Sequence, residues 1–157
     1  MKTIVVGLGN PILGDDGVGW KVAEKIEQEL YHAQSVVVEY LSLGGISLME
    51  RLIGYRRAIL IDAFNLDEPL GLILILRLSE LPNYSAFHVA SAHDTSLQQA
   101  MELGKSMGAE LPDDVTVVGI ATKPLYDFSE SLSPHVAEAV PQAAQIVLNL
   151  VKETTLI

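Results

Sequence analysis

The run Thr3-Ile4-Val5-Val6, followed at once by Gly7-Leu8-Gly9-Asn10-Pro11-Ile12-Leu13-Gly14-Asp15-Asp16-Gly17-Val18-Gly19, constrains the fold more than any other stretch. Four successive β-branched residues form a strand of the kind buried on both faces in a parallel sheet, so the first strand ends near Gly7. A glycine-rich turn then opens a helix. Strand-turn-helix units of this shape hold a pyrophosphate when they read G-x-G-x-x-G, because the helix N-terminus faces the anion. Here the third glycine's position is Ile12, and Asp15 and Asp16 would repel a phosphate where it must approach the backbone amides. Carboxylate oxygens suit a metal cation instead. The competing explanation is that the two aspartates only cap the helix, as acidic residues at helix starts often do.

Beyond the turn, Val18, Val22, Ala23, Ile26 and Leu30 recur at helical spacing. Ser35 to Leu41 reads as a second strand, Ile46 to Leu52 as a short helix, and Ala58 to Ile61 as a third strand ending at Asp62. Leu72 to Leu78 reads as a fourth strand. A helix is expected from about Ser91 to Met107, with Gly108 beyond its end, followed by a fifth strand from Val115 to Ile120. Ser133-Pro134 suits the start of a last helix, within which Pro141 should break or kink the hydrogen-bond ladder. About nine residues, among them Asn65, Pro69 and Gly71, join strands three and four. A parallel crossover needs a dozen or more, so strand four should run antiparallel. The expected fold is α/β: a three-layer α/β/α arrangement around a mixed five-stranded sheet.

The 157 residues suit one domain spanning 1–157, large enough to hold a core without staples. The absence of cysteine excludes disulfides, thiolate metal sites and a cysteine nucleophile, leaving His, Asp and Glu as metal ligands. A net charge of -10 argues against nucleic acid or an anionic membrane as partner. No signal-peptide pattern opens the chain, and no stretch reaches the ~20 apolar residues of a bilayer span. A cytoplasmic protein is expected.

Helices that cross between parallel strands start at the strands' carboxyl edge, which places Asp16 there, and Asp62 ends a strand at the same edge. A helix starting near Ser91 and descending to strand five would bring His93 to that rim. If strands one and three are neighbours, their helices diverge and open the crevice in which such sheets bind ligands. His93 near a helix N-terminus would favour neutral imidazole, the metal-binding form. The plainer alternatives are that Ser91 and Asp94 make a capping pair around an exposed His93, and that Asp62 is a turn residue. His32, His88 and His135 have no obvious partners and are expected at the surface.

With these residues in place, the chain resembles the hydrogenase maturation endopeptidases, which remove a C-terminal peptide from the large subunit of nickel-iron hydrogenases. The resemblance spans nearly the whole length. It rests on the turn from Gly7 to Gly19, Ile61-Asp62-Ala63, His93, Val118-Gly119-Ile120 and Leu132-Ser133-Pro134. It implies a phosphorylase/hydrolase-like sheet whose fourth strand is antiparallel. It also implies that Asp16, Asp62 and His93 are both the catalytic and the metal-binding residues, with Asn10, Asp15 and Asp94 around them in the turn and its surroundings. The first ligand is often Glu in such proteins, so Asp16 draws the carboxylate back by one methylene. The Gly44-Gly45-Ile46-Ser47 loop and the segment from Ala121 to Phe128 also depart from the better-known pattern, which bears on substrate choice more than on reaction type.

The resemblance implies that nickel carried by the large-subunit precursor marks it for cutting, with zinc or cadmium able to substitute in crystals. A divalent ion polarises the scissile carbonyl or lowers the pKa of a water, and an unliganded carboxylate, Asp15 or its neighbour, accepts the proton. The lack of cysteine and of a Gly-x-Ser-x-Gly elbow argues against an acyl-enzyme. Two other functions compete. A nickel-sensing chaperone would hold the precursor without cutting it. The opening Val6-Gly7-Leu8-Gly9-Asn10-Pro11 also looks like the start of peptidyl-tRNA hydrolases, whose His-Asn pair is missing here.

Overall fold

Strand β1, Thr3–Leu8, is buried along its whole length in a computed structural model that describes residues 2–85, 95–124 and 127–155. The turn after it forms a single 3-10 turn, Gly14–Gly17, and leads into α1, Val18–Glu29. Then follow β2 (Val36–Leu41), α2 (Gly45–Arg51), β3 (Arg57–Asn65), β4 (Ile73–Arg77), α3 (Leu97–Ser106), β5 (Asp114–Thr122) and α4 (Pro134–Thr155). The sheet order is β2-β1-β3-β5-β4. All neighbours are parallel except β4 and β5, which pair antiparallel from Ile73 opposite Ile120 to Arg77 opposite Thr116. The expected three-layer fold and the reversed fourth strand are both present, and the short 66–72 link accounts for the reversal. Gly71 makes that link possible: its φ is +87°, and a Cβ there would stand 2.4 Å from the His135 carbonyl oxygen.

Alternation along the strands divides the core in two. Val5, Ile59, Ile61, Val118 and Ile120 face α1 and α4, while Ile4, Val6, Leu60, Phe64 and Val117 face α2 and α3. Asp62 falls between Leu60 and Phe64 in this alternation and points to the α2 and α3 side. The connection through α1 leaves β1 toward β2, and the connection through α2 returns across β1 to β3. Beyond the carboxyl ends of β1 and β3 lies the switch point where open sheets of this type bind ligands.

Three expectations are corrected. The third strand does not end at Asp62 but continues to Asn65, because β5 extends alongside it to Thr122, whose hydroxyl donates to Asn65 Oδ1 at 3.1 Å. The third helix, expected from about Ser91, begins instead at Leu97, where Ser96 and Gln99 form a reciprocal capping box. Leu97, the first residue of this helix, is fully buried. Pro141 does not break α4, which runs unbroken from Pro134 to Thr155. The proline removes the hydrogen bond to the Ala137 carbonyl, but Pro141 and Ala137 both lie on the exposed face, where water can satisfy that oxygen. The opposite stripe, Ala139, Ala143, Ala144, Val147 and Val151, is buried on the sheet.

Candidate functional site

The glycine turn is held by contacts that no residue larger than glycine allows. Gly9 has φ +129°, and a Cβ there would lie 2.0 Å from the Asp16 carbonyl oxygen. A Cβ on Gly19 would lie 2.3 Å from the Ile61 carbonyl oxygen, so the start of α1 rests directly on β3 beside Asp62. Gly7 pairs with Ile61 as the last β1–β3 pair, and Asp62, the next residue, pairs with Gly119 across β3 and β5. Asp62 therefore stands where β1 has ended and its chain has turned toward Asp16. The 3-10 turn carrying Asp16 packs on β3. The structure thus brings Asp16 and Asp62 to one rim.

The two adjacent aspartates do different things. Asp15 is 2% exposed, and its Oδ1 and Oδ2 accept from the Ser133 amide at 2.6 Å and the Ser133 hydroxyl at 2.7 Å. That carboxylate fastens the turn to the start of α4. Each of its oxygens accepts one of these bonds, which ties Asp15 to Ser133 and leaves Asp16 the more accessible carboxylate of the pair. Asp16 is half-exposed, and its Oδ2 accepts from the Asn10 amide at 2.8 Å. Asn10 Oδ1 in turn accepts from the Ile12 amide at 3.1 Å, an Asx turn that sets the bend. Neither aspartate caps a helix: no side-chain cap bond exists at Leu13 or Gly17, the positions preceding the 3-10 turn and α1. The capping explanation is set aside.

Asp62 has no exposed surface, and its Oδ2 accepts from the Tyr84 hydroxyl at 2.8 Å. Burial, then the Asp62 charge and their hydrogen bond, hold the Tyr84 hydroxyl in its neutral form well above the usual tyrosine range. Tyr84 was not foreseen, since nothing in Pro82-Asn83-Tyr84-Ser85 marks it apart from other loop tyrosines. Its backbone is fixed as well: the Tyr84 amide donates to Leu81 O at 3.1 Å, and Tyr84 O accepts from the Leu97 amide at 3.0 Å. The segment that carries His93 and Asp94 is therefore pinned at both ends beside Asp62's partner.

His93 and Asp94 themselves lie outside the described residues, as does His88. The Gly44-Gly45 loop meets the same region: Gly45 has φ +51°, and a Cβ there would stand 3.0 Å from the Thr95 carbonyl oxygen. Ser42 donates to the Gly9 carbonyl at 2.6 Å, joining this loop to the glycine turn. His32 and His135 are exposed as expected.

Among the described residues no group of three or more His, Cys, Asp or Glu is placed to hold a metal ion. The oxygen donors of Asp16 and Asp62, with an imidazole as third, would suit a borderline divalent cation such as nickel. A cleft of about 470 Å³ lined by Arg77, Gln98, Glu102, Lys105 and Asp114 lies at the opposite edge of the sheet, where β5 begins. It is remote from the switch point, and the position of Asp16 and Asp62 carries more weight than its size. Among the described residues no helix is long and apolar enough to cross a membrane.

Comparison with known proteins shows the family and the fold. Residues 20–150 match the family model described as hydrogenase maturation protease. The chain is 30% identical, over 96% of both chains, to a Methanocaldococcus jannaschii protein whose name assigns it to hydrogenase maturation proteases. It is 24% identical to the hydrogenase expression/formation protein HupD of Thiocapsa roseopersicina, covering 94% of this chain and 66% of that one. The solved structure of the hydrogenase maturating endopeptidase HybD of Escherichia coli superposes with a TM-score of 0.77 at 26% identity, covering 98% of this chain and 94% of that chain. A hydrogenase 2 maturation peptidase from a thaumarchaeote superposes with a TM-score of 0.68, also at 26% identity, covering 96% and 98%.

Proposed function

The chain belongs to the hydrogenase maturation protease family, and on that premise we propose that it is the endopeptidase that removes the C-terminal peptide of a nickel-iron hydrogenase large-subunit precursor after nickel insertion. Its nickel is the precursor's, and the reaction takes place in the cytoplasm. The observation that carries the site assignment is the division between Asp15, locked onto Ser133, and Asp16, half-exposed beside the carboxyl end of β3.

Asp16, Asp62 and His93 are the residues that meet the precursor's nickel and the bond to be cut. Asp16 offers the accessible oxygen, held in place by the Asn10 amide. Asp62, without exposed surface, becomes available only when the groups covering it shift, Tyr84 among them. A divalent ion in such a site polarises a carbonyl or acidifies a water. The chain's own contribution is to orient the peptide and to take up a proton at a carboxylate oxygen; the exposure of Asp16 and the tie of Asp15 to Ser133 favour Asp16 for it.

The test is intact-mass analysis of nickel-loaded precursor incubated with the wild-type protein and with Asp16→Asn and Asp62→Asn. Loss of the C-terminal peptide with wild type and retention with both variants is expected. An uncut precursor that stays bound to the wild-type protein would make it a chaperone instead. Cutting by both variants would remove these carboxylates from the site.

A further inference from the structure

Two apolar side chains stand exposed on the glycine turn that carries Asp16 and on the loop joined to it: Ile12 at 47% and Phe128 at 80%. They are neighbours by register. Leu13 and Ser129 form a parallel β-bridge, closed by the Gly14 amide on Ser129 O at 2.7 Å and the Ser129 amide on Ile12 O at 2.9 Å. Ile12 and Phe128 each precede a bridged residue, and the Ser129 amide bonds to Ile12 O, so the two exposed side chains leave adjacent backbone positions. The same turn reaches Asp16 through two hydrogen bonds, Ile12 amide to Asn10 Oδ1 and Asn10 amide to Asp16 Oδ2. A scattered apolar residue at the surface is ordinary; an exposed aromatic beside an exposed isoleucine at the mouth of a site is the pattern of a docking surface.

We propose that Ile12 and Phe128 form a ledge that seats an apolar side chain of the precursor's C-terminal segment while the scissile bond lies at Asp16, and so help to decide which precursor is cut. This deepens the function proposed above and rests on it. The occupant follows from position and charge. The ledge is contiguous with the residues assigned to meet the scissile peptide, and exposed Asp127 and Glu130 flank Phe128 and Ser129 in sequence. Those carboxylates repel an acidic segment and favour one in which the apolar residue has a basic neighbour. The bridge between Leu13 and Ser129 also explains how a loop more than a hundred residues away in sequence takes part: it is hydrogen-bonded to the catalytic turn, so its side chains keep a fixed place relative to Asp16.

The experiment measures processing of nickel-loaded precursor by Phe128→Ser, Ile12→Ser and the double variant, with Asp16→Asn alongside. One apolar side chain in a pocket changes discrimination by about tenfold or more. The KM of each single variant is therefore expected to rise about tenfold, with kcat falling much less. In parallel, benzoylphenylalanine placed at position 128, which keeps an aromatic ring there, is expected on irradiation to cross-link to the precursor's C-terminal segment. Unchanged KM in a folded double variant, while Asp16→Asn abolishes cutting, would overturn the ledge and leave the site standing. Full cutting by Asp16→Asn would overturn the site and the ledge with it. Cross-linking to a second copy of this chain, accompanied by a dimer that Phe128→Ser dissociates, would assign the surface to self-association and overturn the proposal.

Discussion

The Tyr84 hydroxyl donates to Asp62 Oδ2 at 2.8 Å inside the core, while the Tyr84 carbonyl accepts from the amide of Leu97, the first residue of α3. One residue thus joins a proposed catalytic carboxylate to both ends of the segment that bears His93. The Phe64 ring, 5.7 Å from the Tyr84 ring, packs beside it and over Gly119. Tyr84→Phe keeps the packing and removes only the hydroxyl. A hydrogen bond to a charged group contributes about 1.5–3 kcal/mol, so a loss of that order in unfolding free energy is expected by urea titration. Cutting of the precursor should slow as well, because Asp62 loses the group that orients it. Full stability and full activity in this variant would show that the bond orients nothing.

The same tyrosine sets an alkaline limit on stability. Its folded-state ionisation lies well above the usual range, whereas in the unfolded chain it ionises near pH ~10. Below pH ~10 the neutral hydroxyl stabilises the fold fully; as pH rises beyond that, the unfolded state gains by losing the proton and stability falls. Tyr40, raised by burial and then by its bond to Glu27, adds to the same trend. Thermal melts between pH 8 and 11 should show a decline above pH ~10 that is shallower in Tyr84→Phe. An identical decline in both proteins would refute the assignment.

Asp15 and Asp16 should separate cleanly by substitution. Asp15→Asn keeps the size of the side chain but gives it an amide nitrogen where Asp15 now accepts from Ser133. It is expected to lower stability by about 1–3 kcal/mol, the cost of an unsatisfied buried donor or acceptor. Ser133→Ala should do the same to a lesser degree. Asp16→Asn is half-exposed and should leave the melting temperature nearly unchanged while stopping precursor cleavage. A reversal, with the stability loss at Asp16 and the activity loss confined to Asp15, would exchange their roles.

Which aspartate is which was not legible in the sequence, because the deciding partner, Ser133, is 118 residues away. Tyr84 was hidden for the same reason, its partner lying in a strand 22 residues earlier. The sheet was more readable. The β-branched run from Thr3 to Val6 and the short 66–72 link are local signals, and their consequences, a buried parallel strand and a reversed β4, follow from chain geometry alone. The start of α3 was misplaced because Ser91 with Asp94 and Ser96 with Gln99 are both plausible caps. The helix takes the second pair, with Leu97 buried as its first residue. Pro141 misled in the opposite way, since a rule about the ladder says nothing about which side of the helix faces water.

Gly19 offers a test of the packing that brings Asp16 to β3. A Cβ there would lie 2.3 Å from Ile61 O and 2.5 Å from Leu8 O, both backbone atoms of buried strands that cannot swing aside. Gly19→Ala gains about 1 kcal/mol in helix propensity, yet overpacking in a tight core costs about 1–3 kcal/mol or more, so the net change should be destabilising. A lower urea midpoint is expected, together with slower cleavage as α1 lifts from the end of β3. A more stable Gly19→Ala protein would mean that α1 does not rest on β3 as described.

The last expectation concerns where the metal resides. Asp16 is half-exposed and Asp62 has no exposed surface, and the chain has no cysteine to hold a soft or borderline ion tightly. Two carboxylates and one imidazole make an incomplete coordination shell, better fitted to share an ion already held by another protein than to retain one permanently. An ordinary zinc hydrolase also uses three protein ligands and an open position, so the number of ligands does not decide between them. Source of the metal does. Metal-free protein is mixed with nickel-loaded and nickel-free precursor under chelation too mild to strip the precursor, and cleavage is followed by intact mass. Cutting of the nickel-loaded precursor alone is expected. Equal cutting of both, or cutting that returns only when zinc is added, would place the ion on this chain rather than on its substrate.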